Sequence, residues 1–405
     1  MYTHTAKHFR NSKLSHTEQF RFLDKAAIQT PEDKLNIDGS PADPWKLCSM
    51  QQVEEVKCVI RVLPVWLSAA LFYVAYIQQT TYTIFQSLQS DRHLGSKSFQ
   101  IPPATYTVFL MLGMTIFIPI YDRVLVPFLR KYTGRDSGIT QLQRVGAGMF
   151  LCITSMMVSA IVEQRRRTVA LTRPPLGFAL RKGAISSMSG MWLIPQLVLM
   201  GVGDALAGVG QMEFYYKQFP ENMRSFAGSL YYCGIGLASY LSSFLLSAVH
   251  NITEGSLGGN WLPEDLNKGR LEYFYYFVAG MMTINFAYFL LVSHWYRYKD
   301  IVAKDNDIDK VSLVRRSFAG SLYYCGIGLA SYLSSFLLSA VHNITEGSLG
   351  GNWLPEDLNK GRLEYFYYFV AGMMTINFAY FLLVSHWYRY KDIVAKDNDI
   401  DKVSV

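Results

Sequence analysis

Hydrophobic positions in this chain are gathered into blocks, at about 59–86, 104–128, 143–162, 188–214, 226–249, 272–295, 318–341 and 364–387, with short polar stretches between them. A bilayer core about 30 Å thick needs roughly 20 apolar residues rising 1.5 Å each, so every block predicts a membrane-spanning helix. Residues 1–57 are polar and charged, and read as a cytoplasmic segment with a short amphipathic helix near "QFRFLDKAA". An even number of crossings would return the C-terminus to the same side. The expected fold is an all-α integral membrane protein with eight transmembrane helices.

The loops give partial support for this orientation. "YDRVLVPFLRKYTGRDSG", after the second block, is basic and would lie inside; "EQRRRTVALTRPPLGFALRK", after the third, is equally basic and would lie outside. Tyr- and Trp-rich ends such as "YFYYF" and "HWYRYK" fit aromatic belts at the two interfaces. Pro64, Pro119 and Pro195 fall within blocks, where kinks are tolerated if neighbouring helices satisfy the freed backbone groups.

Composition narrows the function. Only 17% of residues are charged, against about 25% in ordinary soluble chains. The net charge of +7 comes mostly from loops flanking apolar blocks, which points to topology and anionic headgroups and not to nucleic acid. The five cysteines form no C-x-x-C pair, so neither a disulfide framework nor a zinc site is indicated. His4 and His8, one helical turn apart near the start, read as a solvated terminus and not as a metal site. The first 20 residues lack the apolar core of a cleavable signal peptide. There is no P-loop, no G-x-S-x-G and no His/Cys/carboxylate cluster at metal spacing, so no enzyme, cofactor or metal is expected.

One stretch, "NWLPEDLNKGRLEYFYYFVAG", occurs at 260–280 and again at 352–372. It belongs to a repeat that is letter-perfect from Arg224 to Ser312 and from Arg316 to Ser404, joined by Leu313, Val314 and Arg315. Identity over 89 residues does not reflect the ancient duplications common in transporters. It indicates a recent tandem duplication or a misassembled reading frame. Only one copy of such a helical hairpin fits one place in a bundle. The expected divisions are a cytoplasmic segment at 1–57, a six-helix bundle at 58–312 and the repeated hairpin at 313–405.

Asp204, in "LVLMGVGDALAGVGQMEF", sits near the middle of the fourth block. An ionisable group there costs at least ~2.5–3.5 kcal/mol, so it is expected to face a pathway as a proton acceptor, or to bond between helices in its protonated form. Gly201, Gly203, Gly208 and Gly210 around it permit close packing or local unwinding. "AYIQQTTYTIFQ" closes the first block with Gln78, Gln79, Thr80, Thr81 and Tyr82, and Tyr76 lies one turn away. Such side chains line either a cavity or a helix interface. Asp122, Arg123, Arg130 and Lys131 form a charged patch, read as a solvated loop or as a cytoplasmic latch that breaks when a transporter changes state. Glu213 is placed to join Lys217 nearby. Asn251 and its copy Asn343 head N-x-T sequons on the expected outer face, where glycosylation is chemically allowed.

Several stretches resemble the plant nitrate transporter 1/peptide transporter family, the proton-dependent oligopeptide branch of the major facilitator superfamily. They are "FRFLDKAAIQTPED", "PWKLCSMQQVEEVKCVIRVLPVW", "IPPATYTVF", "IPIYDRVLVPFLRKYTG", "ISSMSGMWLIPQ", "QMEFYYKQFPENMRS" and "NWLPEDLNKGRL". They run collinearly and are more similar to the low-affinity nitrate and glucosinolate branch than to the peptide-carrying one. The resemblance covers the C-terminal six-helix half alone, and the E-x-x-E-R proton-coupling motif of the other half does not occur here. It implies proton-coupled movement of nitrate or a small organic anion such as a glucosinolate. Asp204, in "GDA" where the family has "GEA", would couple protons or substrate, and Tyr76, Gln78, Gln79 and Thr80 would line the cavity. Asp122 and Arg123 would form the gate. Tyr76 stands where some nitrate-carrying members have a His, so recognition by a protonated imidazole is not available at that position. The implied partners are a small anionic solute, protons, the lipid bilayer (the plasma membrane foremost) and full-length family members. The alternative is a non-transporting membrane protein that interacts with those relatives, or the product of a decayed or misassembled locus.

Overall fold

A computed structural model describes residues 16–30, 47–94, 100–135, 138–179, 183–220, 223–255, 259–296, scattered positions from 326 to 353, and 362–387. Eight α-helices are named here: α1 (Met50–Leu88), α2 (Thr107–Ile120), α3 (Val126–Thr133), α4 (Gln141–Thr172), α5 (Ile194–Gln218), α6 (Arg224–Thr253), α7 (Leu271–Trp295) and α8 (Leu363–Trp387). Among the described residues seven segments are long and apolar enough to cross a membrane, α2 and α3 counting as one. The chain is a multi-pass, all-α membrane protein. The eighth expected span, 318–341, lies largely outside the described residues. The chain divides into two compact units, Met1–Leu333 and Ser334–Val405.

Local chemistry explains the helix ends. Ser49 caps α1 and Thr140 caps α4, each in a reciprocal box with the glutamine three residues on, Gln52 and Gln143. Pro119 lacks an amide hydrogen, and the chain after it rewinds as a wider π turn over Tyr121–Leu125 before α3 begins. Pro195 behaves otherwise than expected. It stands in the first turn of α5, where its missing donor has no helical partner to lose, so it opens the helix and does not kink it. A two-residue antiparallel pair, Phe178–Ala179 with Gly183–Ala184, bridges α4 and α5.

In the first unit α5 packs against α2 and α4, α7 against α4 and α1, and α6 against α1. Glycine sets the closest of these approaches. A Cβ on Gly148 of α4 would lie 2.5 Å from the Gly203 carbonyl oxygen of α5, and one on Gly201 would lie 2.1 Å from the Leu110 carbonyl oxygen of α2. The three backbones are in contact because these residues have no side chains.

The helix ends near Leu88, Thr172 and Leu271 are joined by a buried polar network. Glu163 and Arg166 of α4 are 0% and 1% exposed and pair through two parallel bonds, Nη2 to Oε1 at 2.7 Å and Nε to Oε2 at 2.8 Å. Gln86 of α1 donates to Glu163 Oε2 at 2.8 Å, and Tyr275 of α7 and Gln196 of α5 donate to Gln86 Oε1. Arg166 Nη1 reaches Asn267 Oδ1 at 2.9 Å, while Gln89 donates to Asp265 and accepts from the Leu266 amide. The "LPEDLN" loop is thereby held to α1 and α4. This region was expected to be an exposed basic loop. It is instead a continuation of α4 to Thr172, because the arginine at 166 finds a carboxylate one turn back and carbonyl partners across the bundle.

The second unit contains α8, whose 25 residues are those of α7. Local turns also match: the Trp353 amide donates to Thr345 at 3.2 Å as the Trp261 amide does to Thr253, and Arg362 donates to Tyr365 as Arg270 does to Tyr273. The environments differ. Phe274, Val278, Met282 and Phe289 of α7 are at most 1% exposed, whereas Met374 and Phe381, at the equivalent positions of Met282 and Phe289, are 60% and 62% exposed.

Removing one member of a buried, hydrogen-bonded ion pair leaves the other charge uncompensated. Arg166→Met is expected to destabilise the detergent-solubilised protein by about 3–5 kcal/mol in thermal or denaturant unfolding. The double variant Glu163→Gln/Arg166→Met is expected to cost clearly less than the sum of the singles, since it leaves no orphan charge.

Candidate functional site

Asp204 lies midway along α5, one residue beyond the Gly203 contact with α4, and is 5% exposed. The Tyr73 hydroxyl of α1 approaches Asp204 Oδ1 at 3.4 Å and shares a hydrogen bond with the Tyr231 hydroxyl of α6 at 2.8 Å. The Tyr73 ring meets Tyr231 and Tyr76 edge to face, with centroids 5.9 and 6.1 Å away. Gly208, one turn further along α5, makes the room: a Cβ there would stand 2.9 Å from Asp204 Oδ1 and 3.0 Å from the Tyr73 hydroxyl. The site is therefore a carboxylate facing phenol hydroxyls from two other helices, in a pocket of rings. Such an arrangement can hold a proton and pass it along a short hydroxyl chain.

Of the expected companions, Tyr76 alone joins this cluster. Gln78 (2% exposed) turns to α6 and donates to the Ser242 carbonyl and hydroxyl at 2.8 and 2.7 Å. Gln79 (0% exposed) turns to α4 and α5, where it donates to the Gln196 carbonyl at 3.0 Å and accepts from Ser155 at 3.0 Å. Thr80 bonds back to the Tyr76 and Ile77 carbonyls of its own helix. Adjacent residues on a helix point about 100° apart, so this run was divided between two helix interfaces and did not share one face. Tyr73 and Tyr231 were not singled out from the sequence. Tyr73 is a turn or two from Gln78, but its pairing with a tyrosine 158 positions away has no local signature.

At the opposite end from the Glu163–Arg166 network, Arg123 is exposed and Asp122 half-buried on the turn after Pro119. Nearby, Glu213 pairs with Lys217 Nζ at 2.9 Å, as its sequence spacing suggested, and with Arg144 of α4 at 3.7 Å. The Arg144 guanidinium also lies over the Tyr121 ring, 4.2 Å from its centre. Asn251 is exposed in the last turn of α6, and the hydroxyl of its sequon partner Thr253 is tied to the Val249 carbonyl at 2.8 Å. Asn343 lies outside the described residues.

The stretch expected to be amphipathic near 19–27 forms a 3-10 turn, Arg21–Ala27, which docks on the start of α1 through charge. Lys57 Nζ, fully buried, stands 2.6 Å from Asp24 and 2.9 Å from Glu54. His16 bonds Asp24 at 3.1 Å, and Thr17 donates its amide and hydroxyl to the two Glu54 oxygens. His16, Asp24 and Glu54 are close enough to share a metal ion, but the Lys57 ammonium already pairs with both carboxylates, which makes the place unfavourable for a second cation.

A family profile described as "PTR2: POT family" matches residues 2–262. The chain is 86% identical over 312 residues to Protein NRT1/ PTR FAMILY 2.9 of Arabidopsis thaliana, in an alignment covering 77% of this chain and 53% of that one. It is 64% identical over 299 residues to Protein NRT1/ PTR FAMILY 2.11 of the same plant, covering 74% of this chain and 48% of that one. The chain thus spans about half the length of the curated relatives it matches. Among solved structures it is similar to an auto-inhibited POT family peptide transporter, with a TM-score of 0.50 and 18% identity over 63% of this chain and 43% of that one. At that identity the likeness concerns the fold.

The tether at the start of α1 has a pH signature. Burial raises the Asp24 carboxyl, but hydrogen bonds from Lys57 and His16 outweigh it and hold the group below the usual carboxylate range. A lowered folded value means that the stabilisation is present above the unfolded value, near 3.9, and disappears as pH falls through the folded one. A spin label at Phe22, which is 65% exposed, is expected to stay immobile at neutral pH and to become mobile as pH falls below about 4. Asp24→Asn should mobilise it at neutral pH.

Proposed function

The chain belongs to the POT family, in its plant NRT1/PTR group, and on that footing we propose that it serves proton-coupled movement of nitrate or a small organic anion such as a glucosinolate across the plasma membrane. The observation that carries this reading is Asp204, a buried carboxylate at mid-helix facing the linked hydroxyls of Tyr73 and Tyr231. Asp204 takes the proton, and its change of charge alters the field felt by an anion beside it. Tyr76 borders that space. Gln78, Gln79 and Thr80 serve the cavity from behind by fixing how α1 sits against α4, α5 and α6. Asp122 and Arg123 mark the end of the bundle where a gate would close, with Arg144, Glu213 and Lys217 as its paired charges.

The second reading is of another class: the chain acts as a membrane-embedded partner of full-length family members and does not itself transport. Alternating access in such transporters comes from one six-helix half rocking against another.

Uptake in oocytes under an inward proton gradient separates the two. Transport by this chain predicts gradient-dependent uptake that Asp204→Asn reduces by about 5- to 150-fold, the range of ordinary coupling free energies, with Asp204→Glu retaining most of it. Absence of uptake from a well-expressed, surface-located protein would leave the partner reading.

A further inference from the structure

The identical helices α7 and α8 amount to one sequence observed in two settings. On α7 the face of Phe274, Tyr275, Val278, Met282, Asn285 and Phe289 is a helix-packing face. Asn285, 3% exposed, donates to the Ser68 carbonyl at 2.9 Å and accepts from the Ser68 hydroxyl at 3.0 Å, and the Tyr275 hydroxyl is used by Gln86. Most of the same face of α8 is open, with Phe366 and Val370 half-buried. Tyr367, Met374 and Phe381 are 60–63% exposed, and Asn377, the counterpart of Asn285, is exposed without a side-chain hydrogen bond among the described residues. Met374, Asn377, Phe378, Tyr380, Phe381 and Val384 line a shallow groove of about 310 Å³ on this surface.

Asn377 lies within two residues of the centre of a 25-residue apolar helix, which is mid-membrane depth for a spanning segment. A carboxamide left in hydrocarbon lacks partners for two donors and one acceptor, and lipid tails supply none. We propose that α8 is a self-association surface, and that its occupant is α8 of a second copy of this chain. An asparagine amide is its own hydrogen-bond complement, donor to acceptor in both directions, so two copies satisfy each other where lipid cannot. The apolar residues on either side are of the kind that α7 already buries against helices. A single Asn in an otherwise apolar helix seam also fixes which register the pair adopts.

The full chain, reconstituted in vesicles as a mixture of donor- and acceptor-labelled copies, provides the test. Energy transfer is expected to rise with the protein-to-lipid ratio and to saturate at a dimer. Asn377→Leu should move the midpoint to about 3- to 20-fold higher protein density, the range measured for single interhelical hydrogen bonds in membranes. Ile376→Ala, on another face of α8, should leave the midpoint in place, and the unfolding of the first unit should be unchanged in both variants. Background transfer at every ratio, or a midpoint indifferent to Asn377→Leu, would overturn the proposal and leave lipid covering this face.

Discussion

The arrangement of the first unit depends on an arginine and a glutamate that neither water nor lipid reaches. Two charges so placed are tolerable only with their hydrogen-bonding capacity filled. The partners that fill it directly come from α1 and the loop before α7, and the α1 partner, Gln86, is held in turn by donors from α5 and α7. The pair therefore converts a local requirement, one residue's need for bonds, into a constraint on four separated segments. It also explains why the loop motif ends in asparagine and begins its last turn with aspartate: Asn267 receives the Arg166 guanidinium and Asp265 receives the Gln89 amide.

Block hydrophobicity made the spans legible because bilayer thickness acts on every spanning helix in the same way. The mid-helix acid was legible for a similar reason, being local in sequence. Two kinds of feature were not. Arg166 sits in "EQRRRT", where three identical letters hide the fact that one points inward, and only its distance from Glu163 hints at it. Gln78 and Gln79 are adjacent letters with different destinations, and which neighbour each meets is settled by helix rotation in the folded bundle. Tyr231 belongs to the site only through the folded proximity of α6 to α1.

The repeat separates what sequence determines from what position determines. Both copies make the same cap contacts, the same Trp–Tyr ring pair and the same helix limits, all of which are set within the segment. Burial is not set there. An asparagine that bonds Ser68 in both directions in one copy has no side-chain hydrogen bond among the described residues in the other, so its energetic meaning changes although its identity does not.

The contact of α5 with α4 through paired glycines bears on how the carboxylate at 204 is reached. Backbones that touch at Gly148 and Gly203 have no side chains to slide or reshape, so these two helices behave as one stiff body over that stretch. Asp204 rides on that body. The rings of Tyr73 and Tyr231, on α1 and α6, face its side chain. Any adjustment around the acid therefore falls to the aromatic side chains of α1 and α6, with the helix that bears the acid serving as the fixed wall.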